Sequence, residues 1–426
     1  MVQPKSELKK GKGAEAMSRL PFLFIITGIV GFVMYHAFSL LSLTGWLGDE
    51  LRGPEGWFHA HLFVLGWATM LATGAVYQLI HVILQTNIYS TGLGYCHYFL
   101  FTIGAIGMFI GFIRADVIWI AGSATLALSG ILLFGLNMAI TLYRASIWNP
   151  VTISAACACL YLVLTGLSGM LMGLNFAFGD WNGLHQRLFG AHIWMGTLGW
   201  FGMLITGFSY KMLPMFYLSH DFSIRLQKIV LILWNAAVIT GVIAFLTGIK
   251  GGLLWFALLL LTGALICYVY HLQQIQEKRH KSNPGPGIRW TVYVSRALAV
   301  YSMALLIYSA QGMELLLDSR VVLLTGWVYL GGWVSLTILG YASKIVPFLW
   351  WTHKYGKFAG RPGTPLMAGM LSEKRINLGI LAMAAASLLL VSGILINLAE
   401  VMMIGGTLLS MISIVYISNI ALVFRR

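Results

Sequence analysis

Twelve stretches of this chain each run for about 20 or more largely uncharged residues, the length a helix needs to cross the hydrocarbon core of a bilayer. They fall at approximately 20–43, 59–84, 96–113, 117–143, 151–174, 187–213, 227–249, 252–272, 290–312, 321–349, 375–396 and 399–423. Within lipid no water satisfies the peptide groups, so runs of this length close their own hydrogen bonds as helices. Of 426 residues, 59% are hydrophobic and 9% charged. A soluble domain carries about 25% charged residues. The sequence therefore predicts an all-α integral membrane protein with twelve transmembrane helices and lipid as its surroundings.

The formal net charge is +14. Its distribution speaks for topology and against a nucleic-acid partner. With the N-terminus and its Lys5, Lys9, Lys10, Lys12 and Arg19 inside, only Arg52, Arg114, Arg187, Lys250 and Arg320 fall on the other side. That is the positive-inside pattern, and it predicts a multi-pass protein of the cell membrane with both termini cytoplasmic. The first apolar run lacks a small-residue cleavage site and reads as a span rather than a leader. Cys96, Cys157, Cys159 and Cys267 form no CxxC and lie in or beside apolar runs, where thiols act as small hydrophobes.

One segment recurs three times: "LGWATMLATGAVYQLIH" at 65–81, "LGWFGMLITGFSYKMLP" at 198–214 and "GGWVSLTILGYASKIVP" at 331–347. Trp67, Trp200 and Trp333 keep one interval, as do Gly74, Gly207 and Gly340. The pairs Tyr77 and Tyr210, Lys211 and Lys344, Pro214 and Pro347, and His220 and His353 keep it too. Each period holds four spans. After a tail at 1–19, the chain reads as one membrane domain at 20–426 with repeats at roughly 20–150, 151–289 and 290–426. Three four-helix arcs in parallel series predict a pseudo-threefold ring, with the second, sixth and tenth spans as equivalents. Transporters with inverted repeats and broken helices follow another plan.

Against this background "WFHAHLFVLGW", with His59 and His61 at the head of the second span, raises a chemical question. Ionisable groups inside a membrane are costly and mark function. Positions two apart on a helix face nearly opposite ways, so the two imidazoles serve different interfaces, or one binds while the other meets the headgroups. His192 precedes Trp200 by the interval that separates His59 from Trp67. His185 lies two turns before His192, although "GDWNGLH" reads as a loop just ending. With His36 of the first span, these five share one half of the membrane. Neutral imidazole suits iron, copper and zinc alike, which makes His36, His59, His61, His185 and His192 the candidate metal ligands. His81 and His97 read as interfacial, and His220 and His353 as loop caps or headgroup contacts. His271 and His280 flank a solvated linker, "HLQQIQEKRHKSNPGPGIR". No chain of buried carboxylates for proton transfer is visible.

"HAHLFVLGWATMLATGAVY" and "HIWMGTLGWFGMLITGFSYKMLP" resemble the haem-ligating helices of the haem–copper oxidase superfamily. They are most similar to the catalytic subunit of cbb-type oxidases and nitric oxide reductases. NnrS-like haem- and copper-containing membrane proteins, linked to nitric oxide stress, are a second similar family. The resemblance covers the whole chain as architecture and about 75 residues as motif. It implies non-covalent haem, of b type in the absence of CxxCH, with copper as a second metal, and an electron-donor or redox partner subunit. It places His59, His61 and His192 as cofactor ligands, with Arg187 beside them for the haem carboxylates. A complete oxidase of this group also needs histidines on the seventh and tenth spans. Here "KIVLILWNAAVITGVIAFLTG" and "VVLLTGWVYLGGWVSLTILGYASK" contain none, and Thr325 and Trp327 stand where the third repeat would match His59 and His61.

These residues lead to the expectation of a haem-binding protein similar to oxidase subunit I. Its role would lie in electron transfer or nitric oxide and oxygen redox chemistry, without a complete binuclear centre. The alternatives are a cofactor-free transporter or accessory protein on the same fold, and a divergent terminal oxidase subunit.

Overall fold

The computed structural model describes residues 19–42, 52–179 and 181–426, so the predicted N-terminal tail lies, up to residue 18, outside the described residues. Among them are twelve helices long and apolar enough to cross a membrane: α1 (Leu20–Ser42), α2 (Pro54–Leu84), α3 (Thr91–Arg114), α4 (Val117–Ala145), α5 (Pro150–Phe178), α6 (Gly183–Tyr217), α7 (Arg225–Thr247), α8 (Gly251–Glu277), α9 (Pro286–Ser309), α10 (Ser319–Phe358), α11 (Glu373–Ile396) and α12 (Ala399–Arg425). The protein is all-α and multi-pass, as the apolar runs require.

Local chemistry sets the helix ends. Ser90, Asp116, Asp318 and Ser372 accept backbone N–H bonds as N-caps, and Asn149 with Thr152 closes a reciprocal capping box. Pro54, Pro150 and Pro286 open α2, α5 and α9, where a missing N–H costs nothing. The α6 helix starts at Gly183, so His185 lies in its first turn rather than at the end of a loop. The predicted solvated linker after 271 is shorter than expected. Residues His271–Glu277 continue α8, and Pro286 already begins α9, inside the boundary drawn at 289.

Helices follow one another in contact, and α1 packs against α12. The three repeat-equivalent helices also bond to one another. Trp200 Nε1 donates to Thr69 Oγ1 at 3.2 Å, joining α6 to α2. Tyr329 donates to the Thr197 carbonyl at 3.1 Å, and Ser209 and Tyr341 share a 2.7 Å bond, joining α10 to α6.

The repeated glycines have one job in common: each lies where the second helix of its unit crosses the first. A Cβ at Gly74 would stand 2.9 Å from Ile25 of α1, at Gly207 2.5 Å from Ser154 of α5, and at Gly340 2.6 Å from the Gly287 carbonyl oxygen of α9. Lipid gives little hydrophobic drive between helices, so close backbone approach at small residues supplies the packing.

A second shared feature was not visible in the sequence. Each equivalent helix widens into a π-helical segment, at Leu62–Thr69, Met195–Gly202 and Trp327–Val334. The repeated tryptophans lie inside these segments and are almost wholly buried. Such segments accompany functional sites more often than chance.

The crossing glycines are testable. Gly340→Ala drives a methyl group into backbone and should destabilise the protein by about 1–3 kcal/mol. Gly122→Ala, where a Cβ meets nothing within 4 Å, should be neutral or better. Thermal unfolding in detergent, followed by circular dichroism, separates the two.

Candidate functional site

Two imidazoles from different units meet between α2 and α6. The ring centroids of His61 and His192 are 6.2 Å apart, with planes inclined at 33°. His61 Nδ1 donates to the Trp57 carbonyl, one turn back on the same helix, at 2.7 Å. His192 Nδ1 donates to the Thr165 carbonyl of α5 at 2.9 Å and lies 3.2 Å from Ser168 Oγ. A carbonyl oxygen only accepts, so each bond places the ring proton on Nδ1. Nε2 is then the lone-pair nitrogen in both rings, and neither makes a hydrogen bond among the described residues. Metal-binding histidines are held in this way, with the second nitrogen anchored to a carbonyl or carboxylate.

The surroundings fix both rings. Phe112 of α3 lies 5.0 Å from His61, inclined at 35°. Gly169 of α5 makes room for His192, since a Cβ there would stand 3.0 Å from the imidazole Cε1. Ser168 donates its own proton to Thr165 at 2.9 Å, which leaves its oxygen facing His192 as an acceptor. The π-helical segments begin directly after His61 and three residues after His192.

The other candidates lie apart from this pair. His59 turns to α1: Nδ1 bonds the Glu55 carbonyl at 3.0 Å and Nε2 lies 3.3 Å from Ser42 Oγ. His59 and His61 therefore serve different neighbours. His36 is buried between α1 and α12, with Nδ1 3.0 Å from Ser410 Oγ and the Phe32 and Tyr35 rings against it. His185 accepts from Asn175 Nδ2 at 3.1 Å and packs on Phe176. Arg187 is exposed and donates to the Leu246 carbonyl at 3.3 Å, at the end of α7. Among the described residues no three His, Cys, Asp or Glu side chains come together as a metal-holding group. Two of the five histidines are paired and three stand alone.

The repeat explains part of this arrangement. His59, His192 and Thr325 are equivalents, and each faces the first helix of its own unit. There Tyr35, Ser168 and Tyr301 are likewise equivalents. Ser168 lies against His192, Tyr301 and Thr325 share a 2.7 Å bond, and the Tyr35 ring lies 6.4 Å from His59. Only the second unit carries its imidazole at this position within reach of a neighbouring unit, because His61 of α2 comes to meet it.

Sequence reasoning missed two histidines. His97, expected at the interface, is buried. Its Nδ1 lies 3.1 Å from the Tyr77 hydroxyl, inside a cage of Phe24, Phe101 and Phe134. His271, expected beside a solvated linker, is fully buried against Gln227 and Tyr210. The repeated tyrosines Tyr77 and Tyr210 were the available signal. Of the four cysteines only Cys159 is buried, and Cys96 is exposed. No family model matches the chain, and no curated protein is significantly similar to it.

Two bonds to carbonyls predict one tautomer. In metal-free protein labelled with 15N-histidine, His61 and His192 should both show a protonated Nδ1 and an unprotonated Nε2 by NMR. Gly169→Ala should shift the His192 signals and leave those of His61 in place; unchanged His192 signals count against the contact.

Proposed function

We propose that the chain is a membrane haem protein whose iron His61 and His192 would hold, and that it passes electrons. The observation that carries this reading is the pair itself: two imidazoles from neighbouring units, with both Nδ1 atoms committed and both Nε2 atoms uncommitted. The 6.2 Å between their ring centroids is a separation at which both imidazoles would be able to hold one iron.

The number of ligands favours haem over a bare ion. Protein zinc sites and most copper sites draw on three or four protein ligands. A porphyrin brings four nitrogens of its own and asks the protein for two more. Haem iron held by two imidazoles supplies a one-electron couple whose potential depends on its ligands, their hydrogen bonds and burial. The Trp57 and Thr165 carbonyls make each imidazole more basic, Gly169 and Phe112 hold the rings in place, and the apolar helices exclude water. Arg187, exposed near the start of α6, is the cation available to the haem carboxylates.

The resemblance to oxidase subunit I supports the same reading, and the differences define its limits. α7 carries no histidine and α10 carries only His353, beyond Pro347 near its far end, so the ligands for a second haem and its copper are missing. A haem held by both imidazoles would suit electron transfer rather than oxygen reduction. The distribution of Lys and Arg supports a cell-membrane setting with cytoplasmic termini, the paired histidines on the outer side, and a redox partner there as donor or acceptor.

The test is colour. Protein purified in detergent should show a Soret band and sharp reduced bands, with iron near one per chain by metal analysis. His61→Ala and His192→Ala should each lower haem content at least tenfold, while His59→Ala and His185→Ala keep it. Folded protein without haem that carries copper would point to a two-coordinate cuprous site at the same pair. Folded protein without haem or metal would return the chain to the cofactor-free alternative.

A further inference from the structure

The three matched helices do not close fully on one another. At and beyond the ends of their π-helical segments a cavity of about 70 Å³ lies between α2, α6 and α10, with Ile25 of α1 at its edge. Leu71, Ala75, Phe201, Phe208, Ile338 and Ala342 make up much of its wall. Among the described residues lining it, only Thr337 and Tyr341 carry a hydroxyl. Tyr341 is committed to Ser209 at 2.7 Å. The Thr337 hydroxyl is buried and has no hydrogen-bond partner.

These facts decide what can occupy the space. A buried water needs two to four polar partners, and apolar cavities that cannot offer them stay dry. One free hydroxyl is too few. A dry cavity of about 150 Å³ in another protein admits benzene or xenon, and this one has about half that room. The size excludes flat rings and chain lipids and leaves guests of a few atoms. We propose that this cavity is a binding site for a small, uncharged, apolar molecule, the class to which dissolved diatomic gases belong. Such molecules concentrate in the bilayer that surrounds the helices.

The position gives the site a context. Phe201 on the wall lies nine residues beyond His192, no more than about 13 Å along the axis, since 1.5 Å per residue is the α-helical rise and the widened turn rises less. Trp200, the residue before Phe201, is buried and bonded to Thr69. A guest would therefore be held near the paired imidazoles without touching them. The inference stands on the cavity alone and goes beyond the haem reading.

Xenon is the probe. Folded wild-type protein in detergent should bind it saturably, as read by 129Xe exchange NMR. Ala75→Leu and Ala342→Leu fill the space from two different helices, and each should weaken xenon binding at least tenfold. Leu79→Ala enlarges the same space and should increase uptake, which covers the case in which the filled variants fail to fold. Thr337→Val should leave xenon binding within twofold. No saturable binding by folded wild type, equal binding by a folded filled variant, or no gain with Leu79→Ala would overturn the proposal. His61→Ala should lose haem and keep xenon, so failure of one reading is distinguishable from failure of the other.

Discussion

The structure depends on three backbone crossings. In each four-helix unit the second helix passes the first at a glycine, and the gap there is too small for a methyl group. Each crossing fixes the depth and rotation of a helix that carries a buried tryptophan and, in the first two units, a histidine ahead of it. Trp200 then reaches Thr69, and Tyr329 reaches Thr197. These bonds join one unit to the next only because the crossings set the heights. In lipid, where apolar burial does little to choose one packing over another, steric fit of this kind carries much of the specificity.

Much of the architecture was legible in the residues. Long apolar runs leave helices as the only way to satisfy peptide groups in lipid, and all twelve spans fall where the runs are. The interval shared by Trp67, Trp200 and Trp333 pointed to three helices that bond to one another. The repeated glycines were visible as a pattern, although their contacts with α1, α5 and α9 were not. What stayed hidden depends on local geometry or on partners distant in sequence. A π-helical segment leaves no simple mark on composition. His97 and His271 sit near the ends of their spans, where polar residues are common, and only the folded chain reveals the tyrosines beside them. The start of α6 was misread because Asn and Gly look like loop residues, although a helix emerging from lipid tolerates them.

The candidate site was legible as a set of residues and hidden as an arrangement. The sequence singled out five histidines in one half of the membrane. The fold pairs His61 with His192, gives His59 to α1, His36 to α12 and His185 to Asn175. A helix turns about 100° per residue, so sharing a depth says little about sharing a site. The carbonyls of Trp57 and Thr165 add what depth lacks, a fixed orientation for each ring.

The widened turns have a consequence for how such a chain can change. A π-helical turn takes up about one residue more than the α-helical path, which is a rotation of roughly 100° between the portions on either side. In α2 and α6 the imidazole lies before that offset and the crossing glycine after it. The chemistry-bearing end and the anchoring end of one continuous rod are thereby uncoupled in phase. Substitutions can re-aim the first portion toward a different neighbour while the second stays seated. The third unit illustrates this freedom, having kept its Gly340 anchor while presenting Thr325 and Trp327 in place of imidazoles.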